Sequence, residues 1–162
     1  MAADMFLNIP EVEGESIDAN HGGDIEIKEW SYGMGQDASV GDGTGASVGK
    51  VLYEDITVTK VADKSSSILS KNCSSGKHFP EMTIFTRKAG GDAPLEYYIL
   101  HLEHVLITSF QVEADSDGVV NEVINMRCGK FKVDYTPQDE SGVAAGGTIT
   151  FGWDITANTE WS

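Results

Sequence analysis

The chain has 162 residues and carries 11 Lys and Arg against 26 Asp and Glu, a formal charge of −15. That balance repels phosphate backbones and anionic lipid surfaces, which argues against nucleic acid as a partner; no run approaches the roughly 20 apolar residues of a membrane helix, which argues against direct membrane insertion. One domain over residues 1–162 is the simplest division, large enough to bury about 70% of its unfolded surface, and 18 glycines point to many turns.

The N-terminal residues Met1-Ala-Ala-Asp-Met-Phe-Leu lack the basic and apolar regions of a signal peptide, so the chain is expected to start in the cytoplasm. Met5 to Ile9 is a short apolar strand ended by Pro10; a polar run follows, closing at the turn signal His21-Gly-Gly23. In Ile25 to Tyr32 neither face is cleanly apolar: Ile25, Ile27, Glu29 and Ser31 oppose Glu26, Lys28, Trp30 and Tyr32. From Met34 to Gly49 the chain is rich in Gly, Ser, Asp and Thr without an apolar period. A loop that long inside a compact domain is a candidate contact element.

Leu52 to Lys60 alternates, with Leu52, Ile56 and Val58 on one side. The period then changes: Asp63 can cap a helix beginning at Lys64, Ile68, Leu69 and Cys73 form its apolar stripe, and Gly76 ends it. Alternation returns from Met82 to Arg87. Leu95 to His104 runs without a turn residue into Val105 to Glu113, which predicts one long bent strand or two meeting at a corner near His104. In Glu122 to Tyr135 the apolar phase of Ile124, Met126 and Cys128 gives way to that of Phe131, Val133 and Tyr135, which predicts a β-bulge near Gly129. Ile149, Phe151, Trp153 and Ile155 mark the last strand. About eight strands and one short flanking helix suit an antiparallel β-barrel, whose closure removes exposed edges; a two-sheet sandwich is the alternative.

Motifs for chemistry are weak. Gly41-x-Gly43-x-x-Ala46 leads into no helix, so a nucleotide site lacks the helix N-terminus it needs. His101 and His104 fall on opposite faces of a strand, and His21 and His78 lie beside turns, so no metal site is expected. Asp115-Ser-Asp117-Gly118 departs from calcium-loop spacing and reads as a turn. Ser74 and Ser75 near His78 form a helix exit rather than a nucleophile elbow. No catalytic residue and no cofactor are expected, and Cys73 and Cys128 are expected to be free thiols.

Several segments taken together resemble the Hcp family, the haemolysin-coregulated proteins of type VI secretion. They are Met5-Phe-Leu-Asn-Ile with Gly14-Glu-Ser16, Glu29-Trp-Ser-Tyr-Gly33, Asp55-Ile-Thr-Val-Thr-Lys60, Asp63-Lys-Ser65, Cys73-Ser-Ser-Gly-Lys-His78, Arg87-Lys-Ala-Gly-Gly91, Val133-Asp-Tyr-Thr-Pro137 and Phe151-Gly-Trp-Asp-Ile155. The resemblance runs end to end.

It implies a β-barrel subunit with one flanking helix, related in fold to phage tail-tube proteins, that forms hexameric rings stacking into a hollow tube. It also implies effector proteins as cargo in the lumen and contacts with the spike, baseplate and sheath. Localisation would be cytoplasmic on assembly and extracellular, or in a target cell, after sheath contraction. On that reading Glu29 and Ser31 are candidates for the lumen wall, and Gly41, Asp42, Gly43, Thr44 and Gly45 for ring stacking. Because every copy carries −15, rings should repel unless their contact patches are locally complementary, so stacking is expected to depend on salt. From a different class comes the alternative of a monomeric barrel binding a small apolar ligand. Phe85, Phe110, Phe131, Phe151 and Trp153 as interior filling speak for the tube.

Overall fold

The computed structural model describes residues 4–36, 38–39, 47–48, 51–88 and 94–162. In chain order the elements are β1 (Met5–Asn8), β2 (Ile25–Glu26), β3 (Glu29–Ser31), β4 (Met34–Gly35), β5 (Ala38–Ser39), β6 (Ser47–Val48), β7 (Leu52–Tyr53), β8 (Ile56–Val61), α1 (Ser66–Ser75), β9 (Phe79–Arg87), β10 (Glu96–Ala114), β11 (Val120–Arg127), β12 (Lys130–Tyr135), β13 (Ile149–Asp154) and β14 (Thr159–Glu160). Every strand pairing among the described residues is antiparallel.

The 19-residue β10 organises the sheet. Its first half pairs with β9 on one side and β12 on the other, and its second half pairs with β11. The expected corner is at His104, whose φ is +53°. Leu100 and Leu102 are buried before it, Val105 and Ile107 after it, so the inward phase switches there. The opposite arm switches at the same level, from Ile124 and Met126 to Phe131 and Val133. The phase change near Gly129 is therefore real, but it carries no inserted residue. Glu103 faces Lys130 and Leu106 faces Arg127, leaving two residues on each side. Both arms turn together, and the Gly129 N–H reaches the carbonyls of Glu103 (2.9 Å) and His104 (3.1 Å). The register slip lies instead between Ile107 and Ser109.

A second corner explains the mixed faces of Ile25 to Tyr32. Ile25 in β2 and Ile27 just beyond it point into the core, but Lys28 carries the chain onto another partner and the phase inverts, so that Trp30 packs inward while Glu29 and Ser31 are exposed. The Ile27 N–H bonds the Met5 carbonyl (3.2 Å) and the next, from Lys28, bonds that of Thr59 (2.7 Å). Through this crossing the hydrogen-bonded path β1, β2 with β3, β8, β11, β10, β9 returns to β1. β12, β13 and β14 extend from it as a flange.

Side chains fill the interior, among them Leu7, Ile25, Val58, Met82, Ile84, Leu102, Ile124 and Met126. Phe131 belongs to this core, with Phe110 and Trp153 packed against it. Phe85 does not: it lies on the outer side, against His21. Phe151 is 48% exposed. Leu52 is also out, because the expected strand from Leu52 to Lys60 breaks at Glu54 and Asp55 into β7 and β8.

The helix starts later than expected, at Ser66, with Ser65 at the N-cap and no side-chain cap. Asp63 is engaged elsewhere, accepting the Ser65 N–H (2.9 Å) and Lys60 Nζ (3.0 Å). Gly76 ends the helix in the left-handed conformation (φ 71°), as expected. α1 buries Leu69 and Asn72, while Ile68 stays 39% exposed.

A side chain at positive φ meets its own backbone, and a β-branched one does so most severely. His104→Val is accordingly expected to cost about 1–2 kcal/mol, whereas His104→Gly is neutral or mildly stabilising. Urea midpoints of the two variants check this.

Candidate assembly and cargo surfaces

Glu29 and Ser31 sit on the outward face of β3, opposite Thr59 and Thr57 of β8, which in turn face Val123 and Asn125 of β11. Thr57 Oγ1 donates to Asn125 Oδ1 (2.8 Å), and Lys28 Nζ to Asn121 Oδ1 (2.8 Å). At its margin Arg127 Nε bonds Asp55 (2.7 Å), holding that carboxyl below its usual range. In a chain of charge −15 this is a nearly neutral, hydroxyl- and amide-rich sheet face. Such a surface is wettable without being strongly adhesive.

The other sequence candidates, Gly41, Asp42, Gly43, Thr44 and Gly45, lie outside the described residues. The segment leading to them is not an irregular loop where it is described. Met34 pairs with Tyr53 and Gly35 with Leu52 in one short antiparallel ladder, and Ala38 with Val48 and Ser39 with Ser47 in another.

A third surface has no counterpart in the sequence reading. On the flange Tyr135 pairs with Ile149 and Val133 with Phe151. Tyr135, Ile149 and Phe151 are 42%, 63% and 48% exposed. β14 pairs only with Trp153 and Asp154, so among the described residues the β13 edge from Ile149 to Phe151 has no strand beside it. An exposed aromatic and aliphatic sheet face beside an open edge is a template for another chain.

The polar segment before β2 folds over the outer face of β1, a packing that local pattern did not reveal. Phe6 is 1% exposed and stacks on His21 at 4.4 Å. His21 Nδ1 contacts Asp24 Oδ2 (2.9 Å) and its Nε2 contacts Glu96. Arg87 lies over the Phe6 ring (4.8 Å) and pairs with Asp18. Gly14 is required here, because a Cβ would stand 2.5 Å from the Asp24 carbonyl oxygen. The available signal was that Phe6, Phe85 and Arg87 share the outward phase of neighbouring strands.

The Arg87 guanidinium pulls the Asp18 carboxyl down to about 2. A depressed carboxylate stabilises the fold fully above its unfolded value of 3.8 and loses that contribution as pH falls through about 2. Protection of the Ser16 to Asp24 amides, after correction for the intrinsic pH dependence of exchange, is expected to fall over that window. In Asp18→Asn it should be low already at pH 5 and change little with further acid, which hydrogen exchange by mass spectrometry checks.

Chemistry is sparse. Among the described residues no group of three His, Cys, Asp or Glu could hold a metal ion. His101 is bonded to Asp134 (2.8 Å) and His104 is exposed. Cys73 and Cys128 are free and partly buried, and burial pushes the Cys128 thiol up to about 11. No helix among the described residues is long and apolar enough to cross a membrane.

A family model described as the type VI secretion system effector Hcp matches residues 6–135. The protein hcp1 of Pseudomonas aeruginosa is 39% identical over 161 residues, covering 99% of both chains. A structure of a type six secretion system protein superposes with a TM-score of 0.91 at 29% identity, covering 99% of this chain and 100% of that one. Hcp1 from Salmonella typhimurium does so at 0.81 and 31%, with the same coverage. These matches place the chain in the Hcp family of type VI secretion proteins.

Proposed function

We propose that this chain is a structural subunit of the type VI secretion inner tube, closing into hexameric rings that stack into a hollow conduit and carry effector proteins. The observation that carries this is the flange, where Tyr135, Ile149 and Phe151 stay exposed beside an open strand edge. A second copy would cover them. Because the barrel interior is packed with side chains, a hole wide enough for a protein has to lie between subunits.

In such a ring the face of Glu29 and Ser31 serves as the lumen wall, and Gly41, Asp42, Gly43, Thr44 and Gly45 take part in ring stacking. The subunit assembles in the cytoplasm and leaves with the tube, having met spike, baseplate and sheath. It does no catalysis.

Native mass spectrometry tests this: a hexamer mass is expected at micromolar protein. One observation favours the monomeric ligand-binding alternative, a cavity of about 410 Å³ lined by residues including Tyr32, Tyr53, Leu100, Cys128 and Phe131. A strict monomer across the concentration series, with an apolar dye bound there, would decide for that reading.

A further inference from the structure

The charge of this protein is unevenly spread. From Lys64 to Pro80 the chain contains Lys64, Lys71, Lys77 and His78 but no Asp or Glu, although the whole carries −15. This stretch is α1 and its flanks. With Leu69 and Asn72 turned to the barrel, Ser67, Ile68, Lys71, Ser74 and Ser75 are exposed, and Ile68 and Lys71, three apart, lie on the same side. The helix thus shows solvent an aliphatic side chain next to a lysine, with Lys77 just beyond its end. Lys64 has a partner in Glu13 at 3.7 Å, but both are exposed and the pair contributes little. Among the described residues Lys71 and Lys77 have no ion pair.

The end of the β10–β11 hairpin is its opposite. Gln111 to Val119 are all exposed and hold Glu113, Asp115 and Asp117 with no Lys or Arg. The tip has a defined shape: the Asp115 carboxylate accepts the N–H groups of Asp117 (2.9 Å) and Val119 (3.0 Å), and Gly118 sits at φ 80°. Asp115 is therefore occupied. Glu113 and Asp117 have no ion pair among the described residues, and beside them Val112 and Val119 are 57% and 38% exposed.

Two patches of opposite sign, each holding an exposed aliphatic side chain and neither neutralised within its own copy, fit one another on different copies. We propose that in the assembly the β10–β11 hairpin end of one copy docks on α1 of the next. Glu113 and Asp117 then face Lys71 and Lys77, and Val112 and Val119 cover Ile68. The proposal rests on the reading that the chain assembles, and adds which surfaces meet. The contact is heterologous, joining unlike patches, and such contacts build closed rings or continuing stacks. It also answers the electrostatic problem. Copies of charge −15 repel at a distance, and a local inversion of sign sets the register in which they approach.

Charge exchange tests it. One variant carries Lys71→Glu and Lys77→Glu, a second carries Glu113→Lys and Asp117→Lys, and a third carries all four. Every position is exposed, so circular dichroism should match the parent. At low salt each two-site variant alone is expected to need about tenfold more protein to assemble, read by native mass spectrometry for rings and negative-stain images for stacks. An equimolar mixture of the two, and the four-site variant alone, should regain parental assembly, because each reversed patch again meets its opposite. Undiminished assembly of both two-site variants, or loss that neither the mixture nor the four-site variant repairs, overturns the proposal while leaving the ring reading intact. If the parent itself never assembles, the ring reading fails and this contact falls with it.

Discussion

Lys60→Met is expected to destabilise the fold by about 3–5 kcal/mol, a large share of the 5–15 kcal/mol that holds a typical domain together. Lys60 follows Ile56 and Val58 on the inward face of β8 and is itself 0% exposed. Its Nζ lies 2.6 Å from Glu122 Oε1 on β11, 3.0 Å from Asp63 Oδ1 and 3.0 Å from the Val61 carbonyl oxygen. Ser66, the first residue of α1, donates its hydroxyl to the same Glu122 oxygen (2.8 Å). One ammonium therefore ties two strands to the start of the helix.

Methionine preserves most of the volume and removes the charge, which leaves Glu122, only 2% exposed, buried without its counter-ion. That uncompensated carboxylate is the larger part of the cost. Lys60→Met combined with Glu122→Leu should therefore recover a good part of the loss, since a buried pair replaced as a unit can be nearly neutral. Urea unfolding at pH 7 measures both. A loss below about 1 kcal/mol for the single variant would mean that the pair behaves as an exposed one.

The double substitution Ile149→Asp with Phe151→Asp is expected to convert a ring into a monomer while leaving the fold intact. Ile149 is 63% exposed and Phe151 48%, with its ring edge on Phe131, so the monomer's unfolding free energy should fall by only about 1–2 kcal/mol. In the proposed ring the same side chains would form the apolar centre of a contact, where truncating an anchor commonly costs about 2–4 kcal/mol. Carboxylates there also add like charge between copies already at −15. Native mass spectrometry beside circular dichroism separates the two effects, and an undiminished hexamer would remove the flange from the ring interface.

Local pattern located the longer strands and the helix, but not the two-residue strands β4, β5, β6 and β14. The bend at His104, the helix end at Gly76 and the phase change around Gly129 all follow from periodicity and from residues with special backbone freedom. In two places where the reading went astray, the cause was a change of partner. Ile25 to Tyr32 looked like a strand with no proper inside because it leaves one sheet at Ile27 and joins another at Lys28. Leu52 kept the phase of Ile56 and Val58, but β7 pairs with β4 rather than with the barrel.

By itself the sequence determined the β architecture, the single helix and, through motifs spread along the chain, the family. Alternation records which side of a strand each residue occupies, and that is a local property. Whether a given side is covered depends on residues far away in the chain. Lys60 is buried because Glu122 arrives beside it, Phe6 because His21 and Arg87 close over it, and Phe151 is half bare because, among the described residues, no strand lies along that stretch of the β13 edge. Those outcomes belong to the tertiary structure, since burial is set by what packs on top and not by the residue's own position in the period.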